Sequence, residues 1–333
     1  MKRILIIQTA FIGDVILATP LIEKLKKFYP KSEIDFLLRK GNEGLLKDHP
    51  KIKQILIWDK KKSKYNSLAK LSREVRRNKY DILINLQRFA SSGLLTSSSK
   101  AKIKIGFSKN PFSFVYTHKF PHVIDQEMHE VDRNLSLIEE LTDSSFQAPV
   151  LYPSPSDFEK VAPLKQNGAY YCVAPASVWF TKQFPAEKWV EMIDQVNHDI
   201  PVYLLGAPGD LDICAEIKEK SIHDTIRILA GELTFLQSAA LMKDARMNFV
   251  NDSAPLHIAS AVNAPVTAIF CSTIPQFGFG PLSKKSHVIE TQESLECRPC
   301  GLHGKKSCPK GHFKCALSID TSEILKIGKN KPG

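Results

Sequence analysis

The chain alternates short apolar runs with amphipathic stretches. Residues 2–8 (KRILIIQ) form an apolar run between polar neighbours, the pattern of a parallel strand buried on both faces. The run breaks at Thr9-Ala10-Phe11-Ile12-Gly13-Asp14, and apolar positions at helical spacing predict a helix over 15–25. Runs at 33–38, 53–58 and 81–86 predict further strands, and 129–141 (HEVDRNLSLIEEL) predicts a helix that closes the first half. Three prolines within 148–156 predict a linker. The pattern then restarts, with strands over 170–174, 202–205, 226–229, 247–250 and 265–270 and a helix over 186–196. Strands alternating with helices predict two α/β domains built on parallel sheets, over 1–150 and 151–333.

Two strand-to-helix junctions carry the chemistry. The first places the Asp14 carboxylate beside a helical turn at the carboxyl end of a strand, where open α/β sheets bind their ligands. The second, over 247–253, repeats the arrangement with Asp252 and Ser253. Neither half has G-x-G-x-x-G after its first strand, so a nicotinamide or flavin dinucleotide is not indicated, and there is no Walker A sequence.

The 333 residues suffice for two ordinary domains, and 43% hydrophobic with 24% charged residues is a soluble globular composition. No apolar run reaches the roughly 18–20 residues that span a bilayer, and the start lacks the pattern of a signal peptide. The expected location is cytoplasmic. The net charge is +11, with much of the excess at Lys60, Lys61, Lys62, Lys64, Lys70, Arg73, Arg76, Arg77 and Lys79, and again at Lys100, Lys102, Lys104 and Lys109. Such runs are either solvated faces or surfaces for a phosphorylated substrate or an anionic membrane. Nucleic acid fits worst, because no helix-turn-helix, zinc-finger or aromatic single-strand platform accompanies the lysines.

Four of the seven cysteines cluster as Cys297-x2-Cys300-x7-Cys308-x6-Cys315. In a cytosolic chain this reads as a thiol or metal site rather than as disulfides. Three readings stay open: a four-thiolate structural metal site, free thiols on an acceptor side or an interface, or small core residues.

Taken in order, Gln8 to Asp14 with Thr19-Pro20-Leu21, then His129-Glu130-Val131-Asp132-Arg133-Asn134, then Asn251-Asp252-Ser253-Ala254-Pro255-Leu256-His257, resemble glycosyltransferase family 9. This family comprises the bacterial ADP-heptose:lipopolysaccharide heptosyltransferases. Phe277-Gly278-Phe279-Gly280-Pro281 and the late cysteine pattern are similar to its type II branch. The resemblance implies a GT-B fold, two Rossmann-like parallel-sheet domains facing a central cleft. It also implies inverting transfer of heptose from ADP-heptose to the lipopolysaccharide inner core (Kdo–lipid A or a heptosylated form), without metal or cofactor. The first domain would receive the acceptor and the second the nucleotide-sugar. The basic surface would dock on the anionic inner membrane, making the protein peripherally membrane-associated.

Inversion needs a base for the acceptor hydroxyl and charges or dipoles for the diphosphate leaving group. Asp14 matches the family's base; on the residues alone it is equally a first-turn carboxylate complementing a helix dipole, worth about 0.3–1 kcal/mol. Gly13 either lets backbone approach the acceptor side closely or merely turns the chain. Ser177 and Lys182 fall where the family holds donor phosphates, with Val178 replacing a second hydroxyl; Lys182 is otherwise a solvated loop lysine. Asp252, Ser253 and Ala254 open a helix whose amides suit an anion, and Asp252 or Ser253 is also a candidate N-cap. His257 is either a donor contact or a packed helix histidine. Pro208 stands where relatives carry a ribose-binding acid, which leaves Asp210 as the substitute. Competing readings are a family member with another donor or a protein acceptor, and a nucleotide-binding module without turnover.

Overall fold

A computed structural model describes residues 1–60, 64–124, 128–165 and 168–324, folded as two compact units that divide between Tyr152 and Pro153. The first contains β1 (Arg3–Ile7), α1 (Ile12–Leu17), α2 (Thr19–Phe28), β2 (Glu33–Arg39), β3 (Gln54–Trp58), α3 (Lys64–Asn78), β4 (Ile82–Asn85), α4 (Ala90–Ser98), β5 (Ile103–Phe107), β6 (His118–Phe120) and α5 (Glu130–Ser136). Its six strands form one parallel sheet in the order β3-β2-β1-β4-β5-β6. The central strand β1 pairs Ile4 with Ile34 on one side and Ile82 on the other, and its apolar residues are fully buried. Each such side chain contributes about 1.5–3 kcal/mol on leaving water.

The helix predicted over 15–25 is two helices. Pro20 has no N–H to donate and sits in the first turn of α2, while the Thr19 hydroxyl donates to Ile16 O at 2.7 Å and closes the end of α1. Strands β5 and β6 were not predicted. In the basic run, residues 61–63 lie outside the described residues, and Lys64 begins α3.

The second unit contains α6 (Pro155–Val161), β7 (Tyr171–Ala174), α7 (Ala186–Ile193), β8 (Val202–Leu204), α8 (Leu211–Lys220), β9 (Ile226–Ile228), α9 (Phe235–Lys243), β10 (Met247–Asn251), α10 (Ala254–Ala261), β11 (Val266–Phe270), β12 (Ser286–Glu290) and α11 (Lys314–Leu317). Its sheet is again parallel, in the order β12-β11-β10-β7-β8-β9. Both orders are the 3-2-1-4-5-6 order of dinucleotide-fold sheets, with reversal points between β1 and β4 and between β7 and β10. Helix α7 stops at Ile193, earlier than predicted, with Asp194 as its C-cap; the Asp194 carboxylate accepts from Ser221 and from Ile222 N at 3.1 Å.

The proline-rich segment 148–156 is packed rather than free. Val150 N donates to the Thr19 hydroxyl at 3.0 Å, Leu151 is buried, and the Tyr152 hydroxyl donates to Glu23 at 2.9 Å. Beyond the division, Ser154 and Asp157 form a capping box that opens α6. Among the described residues no helix is long and apolar enough to cross a membrane.

Candidate functional site

In the first unit, Asp14 lies in the first turn of α1, at the carboxyl end of β1 and beside the reversal point. Buried amides fix the chain there. The Gln87 side chain donates to Ala10 O at 2.9 Å and to the Gln8 side chain, tying the ends of β1 and β4 together. Asn110 Nδ2 in turn donates to Gln87 O at 2.8 Å and Phe89 O at 3.1 Å. Asn134 Nδ2 holds Leu17 O at 3.2 Å, which seats α5 against α1.

The half-buried Asp14 carboxylate accepts a hydrogen bond from Phe11 N. Its pKa is nonetheless pushed up to about 6, first by removal from water and then by the negative charge of Glu130, against the pull of that hydrogen bond and of His122. Glu130 is itself buried. Burial raises its pKa, but His122 at 3.3 Å and Arg133 at 2.8 Å outweigh it and hold the carboxylate below the usual range. Burial is thus the main reason that Asp14 holds its proton more tightly than a free carboxylate, and the nearby Glu130 charge adds to it. A carboxylate acting only as a helix-dipole partner would shift the other way.

Loops of this unit expose aromatic rings. Phe11, Phe89 and Phe114 are 65%, 54% and 75% exposed, with the Arg39 guanidinium 5.1 Å from the Phe11 ring and Arg88 5.5 Å from Phe89. Gly13 adjoins Asp14 in the same turn.

In the second unit, the loop after β7 and the end of β10 meet at the other reversal point. Asn251 Nδ2 donates to Pro175 O at 2.7 Å, and its Oδ1 accepts from Phe184 N at 3.0 Å, so the strand end clamps the loop. The loop closes in a short 3-10 turn, Phe180–Lys182. Lys182 Nζ reaches Asp252 Oδ2 at 2.7 Å, with both side chains largely buried. The Thr273 hydroxyl donates to the same oxygen at 2.6 Å. Lys182 is thus an ion-paired cation rather than a solvated one, and Asp252 is not the N-cap.

Ser253 occupies the N-cap position of α10, but its side chain makes no cap bond; its hydroxyl instead donates to Asn251 O at 3.4 Å. Ala254 opens the helix, Pro255 follows in its first turn, and His257 is buried within it, its ring 6.4 Å from that of Phe279. Ser177 lies in the clamped loop, where its carbonyl accepts from Gln183 Nε2 at 2.5 Å. Asp210 follows β8, and its carboxylate accepts from Ala207 N at 2.7 Å, capping the turn before α8.

Among the described residues no three His, Cys, Asp or Glu side chains are arranged to hold a metal ion, and all seven cysteines are free thiols. Cys297 Sγ lies 3.8 Å from His312 Nε2, and burial pushes the Cys315 thiol up to about 11. Burial also acts on Cys308, but the N–H groups of Phe313, Lys310, Gly311 and His312 outweigh it and lower that thiol.

Sequence reasoning missed Glu130 and Arg133 as the charges behind Asp14, although both lie inside the quoted His129–Asn134 stretch. Nothing in the sequence distinguished His122 or Thr273.

Two parallel six-stranded sheets, one with a carboxylate of raised pKa and one with an ion-paired lysine beside its reversal point, define a two-domain α/β protein. The model of Glycosyltransferase family 9 (heptosyltransferase) matches residues 68–309, and the chain belongs to that family of glycosyltransferases. Lipopolysaccharide heptosyltransferase 3 of Escherichia coli is 30% identical over 280 residues, covering 79% of this chain and 82% of that one. The solved glycosyltransferase family 9 protein of Veillonella parvula superposes with a TM-score of 0.84 at 24% identity, over 98% of this chain and 96% of that one. The Escherichia coli heptosyltransferase WaaC, solved with ADP, gives 0.74 at 18% identity, over 97% and 98%. These findings bear out the resemblance read from the motifs and the twin α/β fold.

Proposed function

We propose that the protein is an inverting transferase moving heptose from ADP-heptose to the lipopolysaccharide inner core. The observation that carries the reading is Asp14, a half-buried carboxylate at a sheet reversal point with its pKa raised to about 6. The names of the relatives support the donor and acceptor: one is a lipopolysaccharide heptosyltransferase and another was solved with ADP.

Asp14 takes the proton of the acceptor hydroxyl, and that oxygen bonds to the anomeric carbon as the carbon–phosphate oxygen bond breaks. The bonding pair leaves with ADP, and a single displacement inverts the centre. A carboxyl with a pKa of about 6 accepts the proton in the transition state and gives it to water afterwards. Lys182 and the Ala254 amide at the opening of α10 receive the developing diphosphate charge, with Ser177, Asp252, Ser253 and His257 shaping the donor pocket. A ribose contact by Asp210 shares its carboxylate with the Ala207 cap. Gly13 lets the acceptor approach Asp14. Residues 1–150 take the acceptor and 151–333 the nucleotide-sugar.

Thermal denaturation against ADP-heptose, UDP-sugars and GDP-sugars tests the donor. ADP-heptose is expected to raise the melting temperature most, by linkage; stronger protection by a uridine or guanosine sugar favours a family member with another donor. Because Lys182 supplies the leaving-group charge, transfer is expected to survive EDTA. Activity abolished by chelation and restored by magnesium or manganese contradicts that.

The anionic inner-membrane surface is the second partner. Helix α3 exposes Lys70, Arg73, Arg76 and Arg77, and the exposed Phe11, Phe89 and Phe114 suit a headgroup region. Reversing charge at Arg73, Arg76 and Arg77 is expected to weaken binding to anionic vesicles by about 1 kcal/mol per residue at low salt, with ADP affinity unchanged. Equal vesicle binding would return α3 to a solvated face.

A further inference from the structure

The late Cys-Arg-Pro-Cys segment lies against the donor loop, and three contacts converge from it on Lys182. In the first, the Arg298 side chain, 11% exposed, spreads its fork over the end of β11: Nε donates to Cys271 O at 2.7 Å, and Nη2 to Phe270 O at 3.2 Å and Thr273 O at 2.9 Å. Its Nη1 pairs with Glu290 at 3.2 Å. Three carbonyls, at the last residue of β11 and just past it, are thereby fixed by one rigid guanidinium. Thr273, 1% exposed and held this way, aims its hydroxyl at the Asp252 oxygen that also binds Lys182.

The second contact runs through Thr181, the neighbour of Lys182. Its N–H donates to Lys305 O at 3.1 Å, and its hydroxyl accepts from Lys305 N at 2.8 Å and from Ser272 Oγ at 2.9 Å. Cys300 N donates to Ser272 O at 2.9 Å and ties that serine to the same segment. The third is steric. Gly304 has φ +75°, and a Cβ there would stand 2.8 Å from Lys182 Cγ and 3.1 Å from Trp179 Cβ, so bare backbone lies against the lysine stem.

We infer that Thr273 and Arg298 are positioning residues for Lys182, and that segment 297–305 is a strut which holds this cation ready for the donor diphosphate. A lysine loses rotamer freedom whenever it grips a phosphate, and a strut that has already ordered it removes that cost from binding. The Arg298 guanidinium acts through Thr273 and Asp252 and need touch no substrate. The inference rests on the reading that Lys182 holds the donor diphosphate.

The test is calorimetric titration with ADP of wild type, Thr273→Val, Thr273→Ser, Lys182→Ala and the Thr273→Val/Lys182→Ala double variant. Thr321→Val serves as a control, because Thr321 is equally buried and likewise donates to a carboxylate, that of Glu191 at 2.7 Å. Thr273→Val is expected to bind ADP about tenfold more weakly, the scale of coupling through a neighbouring side chain. Thr273→Ser should return to within about twofold of wild type. In the Lys182→Ala background Thr273→Val should cost nothing further, and Thr321→Val should lower only the melting temperature. Wild-type affinity in Thr273→Val, or the same loss with and without Lys182, overturns the inference alone. Wild type that does not bind ADP, or Lys182→Ala that binds it normally, overturns the donor-site reading together with it. Should Thr273→Val yield no folded protein, Gly304→Ala decides: weakened ADP binding supports the strut, and unchanged binding overturns it.

Discussion

Asp14→Asn is expected to lower turnover by about 10²–10⁴, the contribution of a positioned acid–base group, while making the folded protein more stable above pH 6. The two effects share one cause. The folded-state pKa of Asp14 lies near 6, above the 3.8 of an ordinary aspartate, so the native state binds this proton more tightly than the unfolded chain does. Stability from this group is therefore present at low pH and is lost as pH rises from about 4 through about 6. Asparagine keeps the size and can still accept from Phe11 N, but it carries no charge to desolvate. The melting temperature of the variant should thus draw ahead of wild type across that interval and stay ahead at higher pH. The wild-type kcat/KM should rise through an apparent pKa near 6, and the residual activity of the variant should lack that limb. A helix-dipole carboxylate predicts the reverse on both counts: lower stability on replacement and nearly intact turnover. Melting curves and transfer rates on the two proteins between pH 4 and 8 separate these accounts.

Lys182→Ala should weaken ADP binding by about 10–100-fold, the loss of one charge-assisted contact to phosphate. It should also destabilise the second unit, because Asp252 keeps its buried charge without a cation 2.7 Å away. Removing one member of a buried pair costs about 3–5 kcal/mol. The added substitution Asp252→Asn neutralises the stranded carboxylate and should recover much of the melting temperature without recovering ADP affinity. A double variant that regained both would show that Lys182 acts on stability alone.

The strands β1, β2, β4, β7, β10 and β11 are legible in the sequence because both their faces are buried, which writes a mostly apolar run, broken only by single buried polar residues such as Asp35, Asn248 and Thr267. Strands β6 and β12 are edges of their sheets, and β6, with only three residues, exposes two of them. Strand β5 begins with half-buried residues inside the lysine-rich stretch, so its run is interrupted. The Thr19-Pro20 break was visible as letters, yet the apolar spacing continues across it on the same face.

The site is legible in part for a related reason. Asp14, Lys182 and Asp252 each fall in the segment that follows a strand, which sequence order marks. That Lys182 and Asp252 form one ion pair, and that Thr273 shares their oxygen, depends on three loops brought together by the order β11-β10-β7. The raised pKa of Asp14 depends first on its removal from water by the fold and then on Glu130, more than a hundred positions away, whose pKa is in turn lowered by His122 and Arg133.

We propose transfer of heptose from ADP-heptose to a lipopolysaccharide core as the reaction of this protein. Its most direct test is mass spectrometry of a heptose-deficient core acceptor after incubation with the protein and ADP-heptose, with released ADP quantified in the same sample. The expected result is an acceptor heavier by one heptose and one ADP released for each transfer. An acceptor of unchanged mass, or one that gains a sugar only from a uridine or guanosine donor, would contradict it.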